Sequence, residues 1–168
     1  VKQRRYHFVS EWEIVASPET VWQTVTATPF SWDQWWPELV ALRTIETTPS
    51  IINTRFSTTF RARTGYQLGI NFTVTEVEDL HRVVFKADGD LAGIASWEMM
   101  PHDTGTHIRV DWRVVTTKPW MNLFATFLKP IFTNNHAAVM RSGEIGLNRF
   151  LKLNSLLPQT RTIKKPGN

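Results

Sequence analysis

The chain has 168 residues, enough for one domain with a sizeable core. It contains no cysteine, which excludes disulfides, thiolate metal sites and a cysteine nucleophile together. The balance of 19 Lys and Arg against 15 Asp and Glu is mildly basic, and much of the excess sits at the two ends rather than on one aromatic-studded face, so a nucleic-acid partner is not expected.

Residues Tyr6 to Ala16 alternate, with Tyr6, Phe8, Trp12 and Ile14 on one face and His7, Glu11 and Glu13 on the other, which predicts a half-buried strand. Ser17-Pro18-Glu19 is a helix start, with serine as N-cap and proline where its missing N–H costs nothing. Val21, Trp22 and Val25 then repeat at helical spacing up to Pro29, and Ser31 to Trp36 reads as a second short helix stopped by Pro37.

From Val40 to Thr116 the period changes to two. Tyr66, Leu68, Ile70, Phe72 and Val74 alternate with polar or small residues, as do Ile108, Val110, Trp112 and Val114. Gly and Asp turn signals separate about six short runs, which predicts an antiparallel meander with one dry face. Asp88 and Asp90, flanking Gly89, read as turn residues and not as a catalytic acid pair.

After Thr117 the pattern turns helical. Pro119 opens an apolar segment with Trp120, Leu123, Phe124, Phe127 and Leu128, and Pro130 is expected to interrupt or restart it. A longer helix, 131–154, follows. His136, Met140, Gly143, Leu147 and Phe150 fall on its buried stripe, and Arg141, Asn148, Arg149 and Lys152 on the opposite side. A single 1–157 domain and a polar 158–168 tail, expected to be disordered, complete the division. No signal-peptide pattern and no run near the ~18 apolar residues of a membrane span is present. A cytoplasmic location is expected, and a chain that begins at Val1 fits removal of an upstream segment.

A sheet with one apolar face has to cover that face, and only the last helix is long enough to do so. The expected fold class is therefore α+β: a curved antiparallel sheet of about seven strands wrapped around a long C-terminal helix, with two short helices after the first strand. Several residues add a resemblance to this order: Ala16-Ser17-Pro18-Glu19-Thr20-Val21-Trp22, Trp32 with Trp35-Trp36-Pro37, Gly89 to Gly93, Trp97, Asp111-Trp112, and the stretch Pro130 to Leu151 with Asn135-His136, Met140, Gly143 and Gly146-Leu147. Over residues 6 to 152 the chain resembles the START-like or SRPBCC superfamily of helix-grip proteins, which includes polyketide cyclase/dehydrase-like proteins, the birch-pollen allergen family and lipid-transfer domains. It is most similar to a bacterial branch in which an acidic residue often follows the Asn-His pair; here that position is Ala137. The resemblance implies a cavity between sheet and last helix. It does not imply one activity, since members bind lipids, hormones and isoprenoids, and a minority catalyse cyclisation, dehydration or hydrolysis.

Within that frame the ligand-binding candidates are Trp12, Trp35, Tyr66, Trp97, Trp112, His136, Met140 and Gly143. His136 is either a general acid or base facing the cavity or a histidine hydrogen-bonded near the helix start. Gly143 costs roughly 1 kcal/mol against alanine in a helix, so either a ring or strand packs on its backbone or its missing side chain leaves room for a ligand. Trp12, Trp97 and Trp112 lie on apolar strand faces, where core and cavity wall coincide. Tyr66 adds a phenol that orients a polar group or reaches water. Trp35 and Trp36 point ~100° apart on a helix, so at most one faces inward. The Trp120 to Phe132 segment is a lid, a dimer surface or a membrane-touching element.

The five histidines show no HxH or HExxH spacing, and no GxGxxG, P-loop or GxSxG motif is present, so neither a metal nor a cofactor is expected. The expected partner is a small hydrophobic molecule, with transient membrane contact and a monomer or homodimer. Binding or transport of a lipid-like, polyketide-like or aromatic ligand is the favoured function. A polyketide cyclase or dehydratase is the alternative, disfavoured because the helix stripe offers one histidine and no orienting carboxylate.

Overall fold

The computed structural model describes residues 4–123 and 125–156; the 158–168 tail lies outside them. The first strand, β1 (Arg5–Ile14), is followed by helix α1 (Pro18–Thr26) and a 3-10 turn (Trp32–Gln34). The meander follows as β2 (Leu39–Glu46), β3 (Arg55–Arg61), β4 (Gln67–Glu78), β5 (Arg82–Gly89), β6 (Leu91–His102) and β7 (Gly105–Thr116). Helices α2 (Pro119–Leu123) and α3 (Ala125–Leu156) follow.

The local chemistry at each joint accounts for this order. The Ser17 hydroxyl accepts from the Thr20 N–H, and Val21, Trp22 and Val25 turn inward. The Trp32 indole donates to the Val25 carbonyl at 2.8 Å, tying the 3-10 turn to the end of α1. Asp90 accepts from the Gly69 N–H at 2.8 Å and pairs with Lys118, while Asp88 accepts from the Asn71 amide at 2.8 Å, so both aspartates knit the β5–β6 turn to β4.

All seven strands form one antiparallel sheet in the order β1-β7-β6-β5-β4-β3-β2. The residues between β1 and β2 therefore carry the chain from one sheet edge to the other. Alternation sets the dry face: Thr106, Ile108, Val110, Trp112, Val114 and Thr116 on β7 are buried, as are Phe56 and Phe60 on β3 and Ile70, Phe72 and Val74 on β4. Helix α3 lies over that face.

Pro130 does not break the last helix, contrary to expectation; α3 runs through it. Proline removes one backbone donor, and it stands in the second turn, where few intrahelical bonds precede it. The outward assignment of Asn148 also fails. Its side chain accepts from the Val15 N–H at 2.8 Å and donates to the Glu13 carbonyl at 2.9 Å, while Glu144 one turn earlier accepts from the Glu13 N–H at 2.9 Å. These two side chains satisfy backbone groups at the end of edge strand β1 that have no strand to pair with. Among the described residues no helix is long and apolar enough to cross a membrane.

Candidate functional site

The interior divides along α3. Against its C-terminal half the space is solid with tryptophan. A Cβ placed on Gly143 would lie 2.8 Å from Trp36 Cε2 and 2.9 Å from two ring atoms of Trp12, and one on Gly146 would strike the Trp35 carbonyl oxygen. Trp12 meets Trp36 and Trp97 edge-to-face at 5.5 and 5.3 Å, and Trp97 stacks on Trp32 at 5.2 Å. Of the residues expected to bind ligand, Trp12, Trp35, Trp97 and Gly143 thus lie in packed core. The glycine is present because two indoles rest on the helix backbone, not because a ligand needs room.

Against the N-terminal half of α3 lies a cavity of about 90 Å³. Strand β1 contributes Tyr6 and Phe8, the β3–β4 hairpin Phe60 and Tyr66, and β7 Trp112, Val114 and Thr116. The helix contributes Phe132, Asn135, His136, Val139 and Met140. Tyr66, Trp112, His136 and Met140 are therefore brought together as expected lining. Trp36, rather than Trp35, forms the wall toward the tryptophan cluster, with its indole donating to the Val139 carbonyl at 2.8 Å. Phe132 spans the cavity, touching Tyr6 at 6.0 Å between ring centroids and Tyr66 at 5.9 Å. Beyond it, Met121 is fully buried while Trp120, Leu123 and Ile131 are exposed. The side chains of Phe124, Phe127 and Leu128 lie outside the described residues.

The lining is largely apolar, and its polar side chains are Tyr6, Tyr66, Thr116, Asn135 and His136. The His136 ring stacks on Phe8, with centroids 4.2 Å apart and planes 15° from parallel, and Trp112 meets it nearly at right angles. Burial pushes the imidazole pKa down from 6.5 to about 4, so the ring is neutral at pH 7. His136 Nε2 and Trp112 Nε1 are buried and have no hydrogen-bond partner, and the same holds for Trp12 Nε1 and Trp35 Nε1 in the packed core. Burial raises the Tyr66 phenol, offset in part by the Asn135 amide, so it stays protonated. No Asp, Glu, Lys or Arg lines the cavity among the described residues. An imidazole without a carboxylate partner has nothing to fix its tautomer or stabilise its cation. Among the described residues no cluster of three or more His, Asp or Glu is placed to hold a metal ion.

Sequence reasoning passed over Tyr6, Phe8, Phe132 and Asn135. The first two carried a usable signal, since they share a strand face with Trp12. Asn135 stood out only as part of the Asn135-His136 pair, yet it is 9% exposed.

Residues 5–142 match the family model described as polyketide cyclase / dehydrase and lipid transport, and the chain belongs to that family. Among curated proteins none matches. Solved structures share the fold. The Thermus thermophilus protein TTHA0849 is 18% identical with a TM-score of 0.69, over 86% of this chain and 99% of that one. The Staphylococcus aureus protein SA2116, of unknown function, is 13% identical with a TM-score of 0.66, over 93% of this chain and 99% of that one. The di-domain ARO/CYC StfQ of the steffimycin biosynthetic pathway is 15% identical with a TM-score of 0.60, over 88% of this chain and 52% of that one.

Proposed function

We propose that this member of the polyketide cyclase/dehydrase and lipid transport family binds a small hydrophobic molecule in the cavity between α3 and the sheet, as a carrier or sensor rather than a catalyst. The observation that carries the reading is the lining itself: mostly aromatic and aliphatic, with a few polar side chains and no Asp, Glu, Lys or Arg among the described residues, which suits a site that holds a ligand without acting on it. An apolar cavity of about 150 Å³ accepts benzene, so a volume of about 90 Å³ falls short of one aromatic ring. A ligand of that size or larger requires Phe132 to swing away from Tyr6 and Tyr66, and this part of α3 is the lid in this reading. Native mass spectrometry of the purified protein tests it directly. A co-purified small molecule that is lost when Met140 or Val114 is enlarged supports binding. Absence of any such molecule, together with no uptake of a fluorescent apolar probe, rejects it.

The enzyme reading has one observation in its favour, a neutral imidazole facing the cavity, and the fold likeness to an ARO/CYC protein is compatible with it. Against it stands the lack of an acidic partner at Ala137 or anywhere on the lining. His136→Gln keeps hydrogen bonding and removes proton transfer. Turnover of a polyketide-like substrate that this change abolishes, with fold and ligand affinity intact, would replace the carrier by a cyclase or dehydratase.

A further inference from the structure

On the solvent side of α3 lies a second depression, separate from the cavity and independent of the binding reading above. It is a groove of about 540 Å³ whose walls include Arg63, Arg141, Arg149, Glu38, Ser142 and Ile145. Three contacts bring these residues together. A Cβ on Gly146 would strike the Trp35 carbonyl oxygen and lie 3.4 Å from Pro37, so the Pro37–Glu38 corner is seated on the helix. The Arg61 N–H donates to the Glu38 carbonyl at 2.8 Å, which ties the β3–β4 hairpin to the same corner. The Ala62 N–H donates to the Tyr66 carbonyl at 2.9 Å, and this tight turn carries Arg63 at its tip. On α3 itself Arg141, Ile145 and Arg149 follow one turn apart, so the two arginines stand about 12 Å apart along one face.

The charges in this groove are not balanced. Arg82, Arg113 and Lys118 each pair with a carboxylate, whereas Arg63, Arg141 and Arg149 make no ion pair among the described residues. The one acidic residue of α3, Glu144, turns away from them to accept from the Glu13 N–H on β1. Glu38 is the only acid on the groove wall, so three arginines leave an excess of two positive charges. We infer that the groove binds a phosphate monoester, its oxygens received by the arginines and its carbon frame resting on Ile145, which is 46% exposed. A guanidinium presents paired N–H donors that match phosphate oxygens, and a phosphate monoester carries close to two negative charges at pH 7. The Ser142 hydroxyl supplies one more donor. The volume falls within the roughly 300–1,000 Å³ of small-molecule sites.

Phosphate monoesters occur on soluble metabolites and on lipid head groups, and the test separates the two sources. The full chain is offered phenyl phosphate and benzenesulfonate, which share a shape and differ by one charge, at pH 7 and constant ionic strength. It is also offered phosphatidylcholine vesicles with and without phosphatidic acid. Calorimetry reads the soluble probes and co-sedimentation the vesicles. Phenyl phosphate should bind several-fold more tightly than benzenesulfonate. Arg63→Gln, Arg141→Gln and Arg149→Gln should each raise its Kd roughly three- to tenfold, between the effect of an exposed ion pair and that of a charge-assisted hydrogen bond. All three positions are exposed, so the melting temperature should hardly move. Lys86→Gln removes an exposed cation from the opposite face of the sheet and should leave the Kd unchanged. Phenyl phosphate binding alone supports the site with a soluble ligand. Vesicle binding that also needs phosphatidic acid and Arg141 supports it with a lipid head group. No binding of phenyl phosphate, equal affinity for benzenesulfonate, or an equal loss in Lys86→Gln overturns the assignment. None of these outcomes touches the cavity, whose own test uses apolar probes.

Discussion

Phe8 and His136 lie face to face, the phenyl ring of an edge strand covering the imidazole of the long helix at 4.2 Å. The stack hides one side of the imidazole from water and supplies no charge to balance a bound proton. That is why the histidine titrates near pH 4 in the folded protein.

A pH window follows from this. Above pH 6.5 both folded and unfolded chains carry a neutral His136, and it contributes nothing to the pH dependence. As pH falls from 6.5 toward 4, the unfolded chain takes up a proton that the folded one refuses, so stability declines, by at most about 3 kcal/mol, and levels off below pH 4. Glu13 is held below its usual range chiefly by its hydrogen bond with His107. At Asp111 burial pushes upward, but the His7 hydrogen bond and the His7 and Arg113 charges outweigh it. Their stabilising effects are lost only at lower pH. His136→Phe should therefore flatten the stability profile between pH 6.5 and 4 in urea titrations and leave the acid limb below it in place.

Gly143→Leu should damage the fold and spare the cavity. The added side chain enters rings that already lie at 2.8–2.9 Å from the ideal Cβ position, and overpacking of this kind costs about 1–3 kcal/mol or more. Even alanine should destabilise, despite a helix propensity gain of roughly 1 kcal/mol. Thermal unfolding should show a clear loss, while an apolar probe binds the remaining folded protein with unchanged affinity. A weakened probe with an undisturbed melting temperature would return Gly143 to the ligand wall.

Asn148→Ala should loosen the end of β1. It removes both the acceptor of the Val15 N–H and the donor to the Glu13 carbonyl, and hydrogen bonds of this partly exposed kind contribute about 1 kcal/mol each. Amide exchange at Val15 should speed up well beyond the global change. Asn148→Asp keeps the acceptor and loses the donor, so Val15 should stay protected while stability still drops.

Phe132→Ala should open the cavity. The ring bridges Tyr6 and Tyr66, and its removal leaves a gap between the helix and both tyrosines. Stopped-flow mixing with a fluorescent apolar probe should give association several-fold faster than wild type, at a stability cost of about 1–3 kcal/mol for a half-buried aromatic. Unchanged association would mean that ligands enter elsewhere.

Periodicity made the architecture readable. The alternations along Tyr66 to Val74 and Ile108 to Val114 place those residues on the dry face, and the Ser17-Pro18 start, the six-strand meander and the buried stripe of α3 are where local pattern puts them. What periodicity does not contain is depth along an element. Trp12 and Phe8 share one face of β1, yet one is locked in indoles and the other looks into a cavity, because the Trp32–Trp36 segment arrives over only one end of the sheet. Trp35 and Trp36 are both buried, their rings stacked 12° from parallel, against the expectation that at most one faces inward; the ~100° step does not apply because the 3-10 turn ends at Gln34. Asn148 was misjudged for a related reason. An amide on a helix gains its meaning from the backbone it meets, and Glu13 and Val15 are far from it in sequence.

The pairing of β1 with β7 sets a clock on biosynthesis. Arg5 meets Val115 and Ile14 meets Thr106, so the first strand to leave the ribosome waits for roughly a hundred more residues before its partner exists. At translation speeds of about 5–20 residues per second that delay is on the order of 5–20 s. Throughout it Tyr6, Phe8, Trp12 and Ile14 have no sheet to rest on, and α3, whose Glu144 and Asn148 fasten the strand's far end, is later still. The nascent domain is thus exposed along β1 while the strands from β2 to β7 are being made, and a chaperone that recognises short aromatic stretches would find its site there.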